Sequence, residues 1–182
     1  MNAALTLRLA TDADVPALEA LIDAAIGELM DSFLRPAQVQ ASRLIMGLDR
    51  QLIADRSYFV VAAAGGLAGC GGWSRRATHY GGDHSPGRDA TLLNPSRDAA
   101  RVRAMFTHPA FVRRGVGRLI LQRCESAAAQ AGFARVELVA TLAGRPLYAA
   151  CGYQPIEAFE DSRGGVPVPL LRMGKALGVP PP

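Results

Sequence analysis

The sequence predicts a mixed α/β domain with a mostly antiparallel central sheet of about seven strands and about four helices. Three observations carry that expectation. Two apolar runs, 58–64 and 67–74, meet at Gly65-Gly66, a dipeptide able to supply the positive φ of a tight hairpin. The stretch 100–132 reads as a strand, a basic glycine loop and an amphipathic helix. The chain then closes on a second hairpin, 153–160 and 166–173, across Ser162-Arg163-Gly164-Gly165. An antiparallel start of this kind argues against a classical parallel nucleotide-binding sheet.

Taken in order, Leu5, Leu7 and Leu9 alternate with Thr6 and Arg8 as a first strand. Thr11 caps a helix with Asp12 and Asp14 in its first turn, Pro16 early enough to be tolerated, and a buried stripe of Val15, Leu18, Ile22, Ala25 and Leu29. A second helix starts at Pro36 and carries Ala41, Leu44, Ile45, Leu48 and Leu52 on one face. The irregular run 79–99, rich in Gly, Pro and charge, is longer than an ordinary connection and reads as a flap. In the fourth strand Val102, Ala104 and Phe106 fall on one face, and Arg101, Arg103 and Met105 on the other. The following helix has apolar positions Val116, Leu119, Ile120, Cys124, Ala127, Ala128 and Ala131, with Gly132 as its C-terminal cap. A fifth strand spans 135–140, and a turn and short helix over 141–151 begin with Pro146 and stop at Gly152. Pro167 and Pro169 mark the last strand as an edge or as irregular.

Composition bounds the function. A chain of 182 residues with 49% hydrophobic and 20% charged residues is one globular domain, expected over 1–176 with a loose tail at 177–182. The charge-free run Tyr58–Ser74 is too short and Gly-rich to cross a bilayer, and Met1–Ala10 lacks the pattern of a signal peptide. The odd set Cys70, Cys124 and Cys151, without CxxC spacing, fits core residues in a reducing cytoplasm. A net charge of +4 invites nucleic acid, yet the arginines lack interleaved aromatics and Lys175 is the only lysine, so an anionic cofactor explains the basic loop with less. His79, Asp83 and His84 lack a further clustered ligand, so no metal is expected.

The chemistry concentrates in VRRGVG, 112–117. Gly115 and Gly117 permit close approach of backbone, the first turn of the helix leaves amides unpaired, and Arg113, Arg114 and Arg118 add cations, a setting for phosphate or pyrophosphate. A Walker-type loop fails because Arg118 and Leu119 follow the second glycine, and a dinucleotide fingerprint lacks its third glycine at Ile120.

With Thr107-His108-Pro109 before this loop and PLYAACGY at 146–153 after it, the chain resembles the GNAT superfamily of acyl-CoA N-acyltransferases, from the first strand to LRMGK at 171–175. It departs at Val112, where the family has Gln or Arg, and at Thr141, where many members have Asn. The resemblance implies a GNAT fold splayed between strands 4 and 5, with acetyl-CoA as co-substrate held by Met105, Phe106, Thr107, Val112, Arg113, Arg114, Gly115, Val116, Gly117, Arg118, Thr141 and Tyr148. It implies Tyr148 as the general acid that protonates the leaving thiolate, with a backbone N–H within 105–107 facing the oxyanion.

The acceptor would be a small-molecule amine or amino-acid-like compound, with Glu28, Asp31, Phe33, Trp73, Tyr80, Asp83 and Arg103 as candidate contacts. Arg101 and Arg103 suit an acceptor bearing a carboxylate or phosphate. For the base, Glu28, Asp31, His79, His108 or a water chain are the candidates. Many members of the superfamily are dimers, so a homodimer is among the assemblies implied. The competing reading is a noncatalytic acyl-CoA sensor or a basic nucleic-acid-binding module.

Overall fold

The computed structural model describes residues 5–178. Seven strands form one sheet: β1 (Thr6–Leu9), β2 (Tyr58–Ala63), β3 (Gly66–Ser74), β4 (Ala100–Thr107), β5 (Arg135–Thr141), β6 (Gln154–Asp161) and β7 (Val168–Ala176), in the spatial order β1-β2-β3-β4-β5-β7-β6. Only β4 and β5 run parallel; every other neighbouring pair is antiparallel. The hairpin glycines Gly65 and Gly66 take φ of 97° and 143° at the β2–β3 turn.

Helices cover both faces. On one side α1 (Val15–Ala24), α2 (Pro36–Ile45) and α3 (Arg50–Ala54) enclose a core containing Leu18, Ile22, Ile45, Leu52 and Tyr58. On the other, α4 (Val116–Gln130) and α5 (Arg145–Ala150) bury Val116, Ile120, Leu121, Cys124, Leu138 and Tyr153. Among the described residues no helix is long and apolar enough to cross a membrane. The three cysteines are free, Cys70 and Cys124 buried. Leu177, the first residue of the expected tail, donates its N–H to Ala134 O (2.8 Å), and residues 179–182 lie outside the described part.

Several elements differ from the expectation for identifiable reasons. The second helix divides into α2 and α3 because Met46 turns extended (φ −106°, ψ 154°) and Asp49 caps a new start, its carboxylate accepting from Gln51 N at 3.0 Å. A π turn over Ala25–Leu29 extends α1 and slips its register, so Ile26 and Met30 are buried where Leu29 was expected. In α4 the buried stripe takes Leu121, leaving Leu119 36% exposed. β7 is an interior strand between β5 and β6. Its prolines are tolerated because pairing with β5 begins at Leu170, so Pro169 has β6 alone beside it and Pro167 precedes the strand.

The face assignment in β4 also changes along the strand. Arg103 pairs with Gly72 but Phe106 pairs with Cys70, so β4 holds one extra residue, and Ala104 sits there at φ 51°. Val102 therefore faces α4, but Ala104 and Phe106 pack on the α1 side and Met105 turns toward α4. Gly71, opposite, is the accommodation: a Cβ there would run into the Met105 sulfur and lie 2.8 Å from Ile120 Cγ2. Tyr58, fully buried, donates its hydroxyl to Ala104 O at 2.9 Å and so fixes the bulge.

Candidate functional site

The bulge opens the sheet. β4 pairs with β5 only at Ala100↔Val136 and Arg101↔Glu137; beyond that point the strands part, leaving a wedge between 103–107 and 138–141. His108 N–H donates to Ala68 O (2.9 Å) in β3, so by strand alternation the N–H of Thr107 points the other way, into the wedge; the Met105 N–H shares a trans peptide with Ala104 O, which turns to Tyr58, and so points away from Tyr58. Thr107 thus presents a donor to a gap that neither strand fills.

The mouth of the wedge is the loop before α4. A 3₁₀ turn over Pro109–Phe111 starts on His108, whose Nδ1 accepts from Ala110 N at 3.1 Å. Val112 directs its N–H to Pro109 O (3.5 Å) and leaves its side chain 40% exposed, so it offers surface rather than a polar side chain. Arg113 and Gly115 take φ of 62° and 82°, turning backbone amides toward one concavity. The first helical bond of α4 runs from Leu119 N to Gly115 O (3.0 Å), so the N–H groups of Val116, Gly117 and Arg118 have no intrahelical acceptor. A Cβ on Gly115 would meet nothing within 4 Å, whereas one on Gly117 would lie 2.7 Å from Leu147 Cδ2 and 3.7 Å from Thr107 Oγ1. Gly115 is therefore favoured by its φ, and Gly117 by the close approach of the Leu147 side chain of α5.

Arg113, Arg114 and Arg118 are exposed at this helix start, and Arg114 also lies over the Phe111 ring at 5.0 Å. None of the three has a carboxylate partner among the described residues. Unpaired amides, the positive end of a 15-residue helix and three cations without carboxylate partners suit an anion such as a diphosphate.

On the opposite lip, Thr141 Oγ1 accepts from Gly144 N (3.1 Å) and closes the turn into α5. The Tyr148 ring packs against that turn: its Cε2 and Thr141 Oγ1 lie 3.0 and 3.4 Å from the same point, where Gly144 would carry a Cβ. Tyr148 is buried, stacked edge-on against Tyr153 at 5.9 Å, and its hydroxyl has no protein partner among the described residues. Burial pushes its pKa well above that of an ordinary phenol, with smaller contributions from Cys124 and Cys151, so the group stays protonated.

These elements, a parted β4–β5 pair, a glycine loop opening α4 and a tyrosine on α5, occur together in one known family. Residues 54–155 match the profile described as Acetyltransferase (GNAT) domain.

The chain belongs to the GNAT acetyltransferase family.

Solved GNAT structures agree in fold over nearly the whole chain. A GCN5-related N-acetyltransferase from Rhodopseudomonas palustris superposes with a TM-score of 0.69 at 19% identity, covering 97% of this chain and 98% of its own. PaiA N-acetyltransferase from Thermoplasma acidophilum, solved in complex with coenzyme A, gives 0.65 at 12% identity, over 95% and 99%. The ribosomal-protein-S18-alanine N-acetyltransferase from Escherichia coli gives 0.62 at 13% identity, over 98% and 97%. A search of curated proteins found no match.

In this GNAT domain the expected acceptor residues scatter. Glu28, Asp31 and Phe33 are exposed at the α1–α2 corner, where the π turn lies against the Pro109–Phe111 turn at the mouth. Trp73 does not join them. It is 6% exposed and packs edge-on against Phe133 (6.2 Å) in the core beneath α4. Tyr80 donates to Asp161 Oδ2 (2.8 Å), and burial, aided by this contact, pushes its pKa up to about 12. Arg103 is committed as well: its guanidinium meets Asp49 Oδ2 at 2.6 Å and donates to Gly81 O at 3.0 Å, while Arg88 takes the other Asp49 oxygen at 2.6 Å. Both Arg103 and Asp49 are enclosed, with side-chain exposures of 2% and 0%.

The 79–99 run is not a free flap. Ala77 and Thr78 donate to Thr91 O and Asp89 O so that the segment doubles back on itself. Arg76 binds Asp55, Arg88 binds Asp49, and Arg163 joins Pro86 O to Asp161, pinning it to α3 and to the β6–β7 hairpin. His84 Nε2 contacts Arg43 O (3.2 Å), Asp83 accepts from Arg50 N (3.0 Å), and His79 stands apart near Arg101 and Glu137. No group of three or more potential metal ligands occurs among the described residues.

Proposed function

We propose that this protein is an N-acetyltransferase that moves an acetyl group from acetyl-CoA to the primary amine of a small molecule, by direct attack within a ternary complex. The observation that carries the reading is the wedge, with β4 backbone facing it, unpaired helix-start amides and three arginines at its mouth, and a buried phenol on its lip. When bound, acetyl-CoA supplies an activated thioester.

The N–H groups of Val116, Gly117 and Arg118, with Arg113, Arg114 and Arg118 around them, hold the diphosphate, and the open wedge receives the pantetheine arm. The amides of Met105 and Thr107 face the carbonyl oxygen as negative charge develops on it. Their positions are preset by the Ala104 bulge and its bond to Tyr58, so little reorganisation accompanies the reaction. Tyr148 then donates its proton to the departing thiolate, whose conjugate acid has a pKa of about 8.5.

The acceptor amine must lose a proton before it attacks, since an alkyl ammonium has a pKa of about 10. His108 is unsuited to take it, because its Nδ1 lone pair is occupied by Ala110 N–H and a neutral ring then carries its proton on Nε2. His79 keeps a neutral ring, because burial and then the neighbouring Arg101 lower its pKa, but it stands at the closed end of the wedge and so takes the proton through a chain of waters rather than directly. Thiol release from acetyl-CoA, followed with a chromogenic disulfide across a panel of amines, tests the proposal. Amine-dependent release supports it, and tight coenzyme A binding without release to any amine would mark a sensor instead.

A further inference from the structure

On the α1 side of the sheet, beside the closed end of the wedge, three charged strand residues stand together. Arg101 of β4 lies in register with Glu137 of β5, and Arg172 of β7 lies opposite Val139. Alternation puts all three on the same face, since their neighbours Val102, Val136, Leu138 and Met173 belong to the core under α4. His79 completes the group from the 79–99 segment, its ring in the field of Arg101, Glu137, Arg172 and Arg103.

The two arginines are poorly satisfied. Arg101, with an 11% exposed side chain, makes one hydrogen bond among the described residues, Nη1 to Glu137 Oε2 at 2.9 Å, from five N–H donors. Among the described residues Arg172 has only a 3.3 Å contact with the exposed Glu157. The Nε atoms of both, and His79 Nδ1, are enclosed without a partner. Burial lowers the Arg101 pKa, the Glu137 charge opposes this, and the Arg172 charge adds to the lowering. Each arginine has a carboxylate partner, Glu137 or Glu157, yet both keep an enclosed Nε idle, and an incoming carboxylate between them would satisfy those donors. Arg103 also has an enclosed Nε without a partner, but its charge is met at 2.6 Å by the buried Asp49 carboxylate and it donates to Gly81 O.

We propose that Arg101 and Arg172, flanked by His79, form an anion subsite, and that the acceptor is an amine that also bears a carboxylate held there. The proposal rests on the acyltransferase reading for the amine end and on the arginine pair for the carboxylate end. Arg101 precedes Met105 by four positions along β4, at most about 13 Å at ~3.3 Å per residue, and the arginine side chain shortens that span. Amine and carboxylate are therefore separated by several bonds, as in an ω-amino acid, and a short α-amino acid does not bridge them.

The test uses the full-length protein with acetyl-CoA and matched acceptors: ω-amino acids from 4-aminobutanoate to 6-aminohexanoate, their neutral amides, and aminoalkyl phosphates of the same length. Thiol release is expected to favour carboxylates over amides by at least tenfold in kcat/KM. Arg101→Gln and the more exposed Arg172→Gln should each abolish that preference through KM for the acceptor, while KM for acetyl-CoA stays within twofold. Equal rates for acid and amide would overturn the subsite, and faster phosphates would overturn its assignment to carboxylate. If no acceptor is acetylated, the transferase reading fails, and the subsite is judged by NMR alone. Acetate, but not acetamide, should then shift the His79 ring resonances of the wild type and leave those of Arg101→Gln unmoved. No shift with acetate would overturn it.

Discussion

Tyr148→Phe separates catalysis from structure because of how the residue is set. The ring fills the space beside Gly144 and Tyr153, and phenylalanine retains all of that packing. Only the hydroxyl is lost, and it has no protein partner among the described residues, so the melting temperature should change by no more than about 2 °C. Positioned acid catalysis contributes roughly 10²–10⁴ in rate, or about 3–5 kcal/mol of barrier. The variant should therefore lose kcat by roughly that factor in the thiol-release assay, with KM for acetyl-CoA unchanged. The pH profile adds a check on sign. Burial raises the Tyr148 pKa above the ordinary phenol value, so the acid form persists through pH 10, and wild-type activity should show no alkaline loss attributable to this group below that pH. Wild-type turnover in Tyr148→Phe would refute the assignment, and a parallel fall in kcat and melting temperature would reduce it to packing.

Three further outcomes follow from the same structure. Asp49→Asn should destabilise the fold by about 3–5 kcal/mol in urea titration, since it leaves Arg103 enclosed without its counter-charge; a loss under 1 kcal/mol would contradict a structural role for the triad. Tyr58→Phe leaves Ala104 O without its donor, at a cost of about 1–3 kcal/mol, and should lower kcat while sparing coenzyme A affinity; unchanged kcat would detach the bulge from catalysis. Cys70 is pushed up to about 12 by burial, so the unfolded chain releases this proton first and stability falls as pH rises from the unfolded thiol's value, ~8.5, toward 12. Cys70→Ala should flatten that decline in melts taken between pH 8 and 11, and an unaltered slope would exclude the thiol as a cause.

Local patterns in the sequence carried much of the fold. The hairpin at Gly65-Gly66, the glycine loop into α4 and the cap at Gly132 depend on residues within a turn of one another, and the chain adopts them as read. The shape of the loop opening α4, with its positive-φ residues and unpaired first-turn amides, was legible for the same reason. What escaped the sequence was long-range. Nothing in β4 announces a bulge at Ala104, which is not a glycine; its anchor, Tyr58, is 46 positions away. That single extra residue reversed the faces of Ala104, Met105 and Phe106. Arg103 looked free for a substrate because its partner, Asp49, read as part of a continuous helix, while Arg172 drew no attention until β7 was placed between β5 and β6. Trp73 is the reverse case: a solitary tryptophan invited a functional role, and packing against Phe133 accounts for it.

The central claim is that the amides opening α4 bind the diphosphate of coenzyme A. Isothermal titration of the purified protein with coenzyme A measures this without any acceptor. Binding should be stoichiometric, weaken with added salt, weaken at least tenfold in Gly117→Val, whose larger side chain enters the Leu147–Thr107 contact, and persist in Tyr148→Phe. Absence of heat at millimolar coenzyme A, or equal affinity in Gly117→Val, would contradict it.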